Sequence, residues 1–362
     1  MKTRLLSIDV MRGMTIAFMI IVNTPGSWSY VYPPLLHAKW DGVTPTDLVF
    51  PFFIFIMGTS MAFSFAKIDK TNRSLLVNKV LKRTFLIFLV GFLLNWFPFY
   101  NEHVSEVRVF GVLQRIALSY GLAGMLIIYA RTLKSQIAVV LIGLIGYHIL
   151  QMYGGDFTLE GSVNRKINDF LLPADNLYGG FGIPFDPEGI VGTISSGMQV
   201  IIGYMVGIHL KKLKEIPIKF IKQIIPIGLG LIFLAWLYCH IIPINKPLWT
   251  GSYVLNTSGK ACLLLALLVY LLDIVKFSKW SFPFQVFGKN ALVSYVFSSV
   301  VSITLYQILK NENGSAYGYL YSQIYQPAFG AYLGSFLFAL SICSFVFCFA
   351  YVLFRRKIFI KI

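Results

Sequence analysis

The chain reads as all-α, a polytopic membrane helix bundle of about ten spans with both termini cytoplasmic. Three observations predict this. Of 362 residues, 57% are hydrophobic and only 13% are charged, whereas soluble domains carry about 25% charged residues. The apolar residues come in long uniform blocks, which fit helices and not the alternating strands of a barrel. Lys and Arg stand at the ends of those blocks, where membrane topology puts them.

Taken in order, the blocks run approximately 7–24, 47–66, 83–98, 109–130, 135–152, 189–210, 221–242, 252–274, 284–309 and 328–354. Each is close to the roughly 17–25 residues that a ~30 Å hydrocarbon core demands. The first follows Lys2 and Arg4 like a signal peptide, yet Asp9 and Arg12 interrupt it and no small-residue cleavage site follows. An uncleaved first helix is expected. With the N-terminus inside, one face collects Lys2, Arg4, Lys67, Lys70, Arg73, Lys79, Lys82, Arg83, Arg131, Lys134, the basic residues of 211–222, Lys276, Lys279, Arg355–Lys357 and Lys361. The opposite face holds most of the acids, including Asp41, Asp47, Glu102, Glu106, Asp156, Glu160, Asp169, Asp175, Asp186, Glu188 and Glu312. A miscounted span would scramble that separation.

One transmembrane domain over 1–362 is expected, with a long external loop at 153–188 that is rich in Gly, Asn, Asp and Pro and has no helical period. Loops of that length are usually functional. Asp186-Pro187-Glu188-Gly189 closes it as a helix start: an N-cap carboxylate, Pro at the first helical position, then an acid in the first turn. No internal repeat is visible. The net charge of +16 does not indicate nucleic acid, because the basic residues mark span ends and form no basic face. Cys239, Cys262, Cys343 and Cys348 all fall inside expected spans without metal-ligand spacing, so they read as buried apolar thiols and no metal is expected.

Charges inside spans cost about 2.5–3.5 kcal/mol on insertion scales and point to function. Asp9 and Arg12 form an i, i+3 pair on the first helix; either they satisfy each other, or Arg12 lines a pocket for an anionic ligand. Gln114-Arg115, inside the fourth span, needs a carboxylate or a ligand phosphate as partner. Lys260 and Lys289-Asn290 add polar groups to the eighth and ninth spans, and Lys289 reads as snorkelling to the interface. Asn245-Lys246-Pro247-Leu248-Trp249-Thr250-Gly251-Ser252-Tyr253 packs aromatic, amide and amine groups into a short external loop, which suits a sugar site. Among five histidines, His37 has Asp41 and Asp47 nearby, whereas His103 lies in a short external loop and His148, His209 and His240 lie within or at the ends of spans without an adjacent acid. An imidazole beside a carboxylate at a membrane boundary has the chemistry of a general base or an acyl acceptor.

A resemblance sharpens this. Ser7-Ile8-Asp9-Val10-Met11-Arg12-Gly13, Val22-Asn23, His37-Ala38-Lys39-Trp40-Asp41-Gly42 and Asp47-Leu48-Val49-Phe50-Pro51 open a series of motifs. Phe55-Ile56-Met57-Gly58, Gly111-Val112-Leu113-Gln114-Arg115, Asp186-Pro187-Glu188-Gly189 with Gly192-Thr193-Ile194-Ser195-Ser196, Asn245-Lys246-Pro247-Leu248-Trp249 and Ser252-Tyr253-Val254 continue it. In this order they resemble the heparan-α-glucosaminide N-acetyltransferase family, a group of transmembrane acyltransferases. The resemblance implies that acetyl passes from cytosolic acetyl-CoA to the amine of a terminal glucosamine across the membrane. It implies His37 as the active histidine with Asn23 and Asp47 as partners. Arg12, Gln114, Arg115 and Asn290 are then candidates for contacting CoA, with Arg12 and Arg115 expected to hold its phosphates on the cytoplasmic side. Trp40, Asp41, Glu188, Asn245, Lys246, Trp249 and Tyr253 are candidates for an amino-sugar or glycan acceptor.

The resemblance also implies a homodimer among membrane lipid, in a bacterial inner membrane. Animal lysosomal members carry a luminal domain and one further helix before the matching region, and neither is expected here. A family histidine in the ninth span falls at Ser298. Two routes stay open: His37 as general base in a ternary complex, or His37 acetylated in its own right. Two other functions share these residues, an N-acetylglucosamine permease and a surface-glycan O-acetyltransferase.

Overall fold

The computed structural model describes residues 5–66, 72–100, 103–312 and 314–360. Lys2, Arg4, Lys67, Lys70, Glu102 and Lys361, used above for topology, lie outside the described residues. The chain forms an all-α bundle: α1 (Leu6–Asn23), α2 (Val49–Phe65), α3 (Arg73–Trp96), α4 (Val112–Tyr129), α5 (Leu133–Gly154), α6 (Val163–Leu171) and α7 (Thr193–Lys212). Then follow α8 (Pro217–Tyr238), α9 (Gly251–Leu268), α10 (Phe282–Lys289), α11 (Ala291–Ile303), α12 (Ala316–Tyr319), α13 (Gln326–Phe329) and α14 (Ala331–Arg355). Among the described residues nine helices are long and apolar enough to cross a membrane. The third expected span is α3, whose cationic first half (Arg73, Lys79, Lys82, Arg83) leaves its second half as the apolar part.

The bundle has a centre and a rim. Helices α1, α2, α4 and α7 are two thirds or more buried, whereas α5, α8, α11 and α14 are a third or less buried. In hydrocarbon, apolar burial does not by itself drive helices together, so the centre needs close packing and polar contacts. The seam between α2 and α7 supplies both. A methyl added at Gly58 would overlap the Val200 carbonyl, and one at Gly203 would overlap that of Phe55. The Thr59 hydroxyl crosses the seam to the Gly203 carbonyl at 3.0 Å. Gly58→Ala should therefore cost about 1–3 kcal/mol by overpacking, read as a lower unfolding temperature in detergent. Gly146→Ala on α5, where a methyl meets nothing within 4 Å, should be neutral or raise it, and equal effects at the two sites would refute this account of the seam.

The spans alternate as expected. The start of α1 meets the ends of α9 and α10: Leu6 N donates to Asp273 at 3.3 Å, and Lys289 pairs with Asp9 at 3.1 Å. The described basic clusters at the start of α3, between α4 and α5, between α7 and α8, between α9 and α10 and after α14 share that end. The His37 segment and the connections 103–111, 155–192 and 239–250 form the other.

Several expectations change. The 153–188 loop contains α6, capped by Ser162, whose hydroxyl accepts from Arg165 N. Nine residues are too few for a period to stand out among Asn, Asp and Gly. Asp186-Pro187-Glu188-Gly189 is a turn, with the buried Asp186 carboxylate accepting from Glu188 N at 3.0 Å and from Arg108 at 2.8 Å, and α7 begins only at Thr193. The ninth span breaks at Asn290 (φ −128°, ψ 45°). There the Asn290 amide bonds the tail, donating to the Ile358 carbonyl at 2.9 Å and accepting from Ile360 N at 3.0 Å. A small hairpin (β1, Lys310–Asn311; β2, Gly314–Ser315) and the short helices α12 and α13 fill a stretch expected to be loop. Of the cysteines, Cys262 and Cys343 are buried, Cys239 is intermediate and Cys348 is exposed on the rim.

Candidate active site

Three loops, Arg108 from the 103–111 connection and the top of α1 enclose a cavity of about 490 Å³ at the end opposite the basic clusters. The first loop carries His37. Just ahead of α2, Asp47 sits in a single helical turn (Thr46–Leu48) and is 1% exposed. Its Oδ2 accepts from Ala38 N at 3.0 Å and from Thr44 N at 3.1 Å, which folds residues 38–44 around it. Its Oδ1 lies 2.6 Å from His37 Nδ1. A lone pair on Nδ1 would there face a carboxylate lone pair, so the proton sits on Nδ1 and donates to Asp47. Nε2 is left basic. The imidazole is half exposed, and Asn23, the last residue of α1, is open to the same space.

The second loop carries Lys246. Asn245 is fully buried and makes an Asx-type turn: its Oδ1 accepts from Leu248 N at 2.8 Å, and Thr250 N donates to its carbonyl at 3.1 Å. Trp249 adopts a left-handed backbone (φ 55°), a conformation that costs a bulky residue about 1–3 kcal/mol and persists where neighbours over-determine it. Those neighbours are on α7: Ser195 donates to the Trp249 carbonyl at 2.6 Å, and Gln199 accepts from the indole at 3.1 Å. Lys246 Nζ thereby stands 3.3 Å from Asp47 Oδ1, 3.0 Å from His37 Nδ1 and 3.5 Å from Nε2. Burial draws its pKa below the ordinary lysine value, with Asp47 and Glu188 pulling the other way.

The third loop brings Glu188 and an aromatic wall. Arg108 forks onto Asp186 with two bonds of 2.8 Å and reaches Glu188 Oε2 at 2.8 Å. Its guanidinium also covers the Tyr178 ring at 4.6 Å. Trp40 donates to the Phe157 carbonyl at 2.7 Å and meets Phe181 and Phe185 edge-on or tilted at 5.9 Å. Trp40, Tyr178, Phe181 and Trp249 all line the cavity.

Not every candidate reaches this space. Asp41 bonds Asn245 Nδ2 at 3.0 Å, and the pair joins the first two loops from behind. Tyr253 is fully buried and donates its hydroxyl to the Asp47 carbonyl at 2.6 Å, so it holds the backbone under the carboxylate. Arg115 is 0% exposed, with its guanidinium against the carbonyls of Pro187 (2.7 Å) and Gly189 (3.0 Å) and over the Trp249 ring. It therefore stands at the His37 end, not at the basic end expected for it. Gln114 is buried against Gly91 of α3. Arg12 does lie at the basic end, bonded to Asp9 at 3.1 Å, to the Gly288 carbonyl at 3.2 Å and to the Ser60 hydroxyl. Asn290, near it, serves the tail. His148 bonds the Tyr238 hydroxyl, and His240 the Trp236 carbonyl, both away from the cavity. Among the described residues no three His, Cys, Asp or Glu side chains gather as a metal set.

A family model described as heparan-alpha-glucosaminide N-acetyltransferase, catalytic, matches residues 4–160. Heparan-alpha-glucosaminide N-acetyltransferase of Homo sapiens is 28% identical over 425 aligned positions that take in 99% of this chain and 60% of the relative. Both matches make the chain similar to this family. The Mus musculus heparan-alpha-glucosaminide N-acetyltransferase is likewise 28% identical over 358 positions, 81% of this chain and 53% of its own length. The chain thus spans somewhat over half the length of the curated relatives it matches. The heparan-alpha-glucosaminide N-acetyltransferase family model covers α1 to α5, with Asn23, His37, Asp47 and Arg108. Glu188, Lys246 and Trp249 join them from beyond the matched stretch.

Sequence reasoning missed Arg108, Lys39, Tyr178 and Phe181 as cavity residues. Arg108 carried a signal, because it is a basic residue in an external connection otherwise dominated by acids. The two aromatic residues carried none beyond their place in a long loop.

Proposed function

We propose that the chain is a membrane acetyltransferase that moves acetyl from acetyl-CoA to the amine of a glucosamine-type sugar held in the His37 cavity. In this reading the basic end faces the cytoplasm of a bacterial inner membrane, and the sugar enters from the other side. The observation that carries it is the imidazole tethered through Nδ1 to a buried carboxylate and lining a cavity that also offers a second carboxylate and an aromatic wall.

A sugar amine is mostly ammonium at neutral pH, and only the free base attacks a thioester. Glu188 provides a charge-assisted partner for that ammonium, worth roughly 1.5–3 kcal/mol. The Trp40, Tyr178 and Phe181 faces take the apolar side of a pyranose ring. His37 Nε2 accepts the proton, while Asp47 keeps the tautomer and steadies the imidazolium that forms. Asn23 stands where its amide can donate to the developing oxyanion. Acetyl-CoA supplies the activated acetyl group. A carboxylate facing the acceptor favours an amine over a hydroxyl, which argues against O-acetylation.

Purified protein given labelled acetyl-CoA and glucosamine should release N-acetylglucosamine. Proteoliposomes that accumulate N-acetylglucosamine without any donor, from protein that yields no acetylated sugar, would replace this reading with carriage.

A further inference from the structure

We infer that Lys246 is itself an acetyl acceptor, so that the protein acetylates its own site when donor is present and sugar is absent. This rests on the acetyltransferase reading above and adds a modification site to it. An acceptor amine must sit within about 2.6–3.2 Å of His37 Nε2 to pass its proton. Lys246 Nζ lies 3.5 Å from that nitrogen in the same cavity, a few tenths of an ångström of side-chain movement from that reach. It also sits in the field intended for a bound ammonium, 3.3 Å from Asp47 and within electrostatic reach of Glu188. The turn built by Asn245 and Trp249 fixes the backbone below it, so its amine is presented rather than swept about. A donor carbonyl placed to meet a sugar amine therefore lies close to the lysine amine as well. Burial draws the lysine pKa below its ordinary value, and a lysine free base is a competent nucleophile toward a thioester.

The step balances. The Lys246 ammonium gives one proton to His37 Nε2, and its nitrogen attacks the thioester carbon. The N–C bond forms and the C–S bond breaks. The thiolate takes the second nitrogen proton to become CoA thiol, and the imidazolium returns its proton to solvent. The product is an amide, which is neutral, no longer pairs with Asp47 and narrows the cavity. Unlike an acetylimidazole, it does not hydrolyse on the time scale of turnover. Sugar in the cavity competes for the same carbonyl and protects the lysine.

The full-length protein in detergent, incubated with radiolabelled acetyl-CoA and no sugar, tests this. Label should approach one acetyl per chain, survive hydroxylamine, and map by peptide mass spectrometry to Lys246. Glucosamine at ~10 times its dissociation constant should slow the labelling about tenfold. Lys246→Arg, which keeps the charge should Lys246→Ala not fold, should abolish that peptide's label. Subsequent sugar acetylation should fall in step with labelling. Three results would overturn the inference while leaving the acetyltransferase reading intact, each with glucosamine acetylated under the same conditions. They are Lys246 staying unmodified, label confined to a hydroxylamine-labile adduct on His37, and surface lysines labelled as fast as Lys246. Neither sugar nor lysine acetylated would defeat the parent reading, and this one with it.

Discussion

His37→Ala should lower acetyl transfer by about 10²–10⁴-fold, the range that a positioned general base supplies, with little change in the sugar KM. The ring is half exposed, and Asp47 keeps its bonds from Ala38 N and Thr44 N and its pairing with Lys246, so the variant should unfold close to the temperature of the parent. Asp47→Asn separates tautomer control from mere presence of the ring. An amide at 47 can still accept from Ala38 N and Thr44 N through its oxygen, so the loop keeps its shape. It cannot balance the Lys246 ammonium or an imidazolium, and a drop comparable to that of His37→Ala is expected. Steady-state rates, with thermal unfolding in parallel, decide the matter. Full turnover by folded His37→Ala protein would remove the imidazole from the mechanism, under either the ternary-complex or the acetyl-histidine route.

Arg108→Ala should damage both stability and sugar recognition. Asp186 is fully buried, and its two oxygens receive the Arg108 fork. Removing one partner of a buried ion pair leaves an uncompensated charge and typically costs about 3–5 kcal/mol. Glu188 would lose the bond that aims it into the cavity, and Tyr178 the cation lying on its ring. A lower unfolding temperature and a KM for the amino sugar raised about tenfold or more (about 1.4 kcal/mol per decade) are expected, with the KM for acetyl-CoA little changed. Arg108→Lys keeps charge but not the bidentate geometry and should fall between. Asp186→Asn together with Arg108→Ala, which removes the stranded charge, should recover part of the stability and none of the KM. An Arg108→Ala protein with parental KM and stability would show that the fork positions nothing.

Much of this was readable beforehand. Long apolar blocks and the distribution of basic residues gave the helices and their alternation, because hydrocarbon thickness and charge placement act on local sequence. His37 and Asp47 are ten residues apart, close enough for a short polar segment to join them. Lys246 reaches the same imidazole from 209 positions away, and Arg108 reaches Asp186 across 78. No local rule predicts which distant loop will meet which. Arg115 belongs at the His37 end on the alternation alone, which puts the start of the fourth span there and not beside the cytoplasmic clusters. Asn245 and Tyr253 carry the amide and phenol chemistry of a sugar site. Their polar atoms are instead consumed by partners within the protein, backbone groups and the Asp41 carboxylate, a need that composition cannot distinguish from ligand binding. The helix α6 was overlooked because its stabilisation comes from Tyr147, Gln151 and Val191 on other elements.

The glycine-to-carbonyl contact of α2 with α7 bears on how the cavity opens. The imidazole's tether rides on the first turn before α2, while the lysine's loop is anchored to α7 through Ser195 and Gln199. Both working loops are thus mounted on one welded beam, and their mutual spacing travels with it as a fixed dimension. On the facing wall Gly179, Gly180 and Gly182 meet no such carbonyl, so that side of the chamber is held by side-chain contacts, Arg108 over Tyr178 and Trp40 against Phe181 and Phe185.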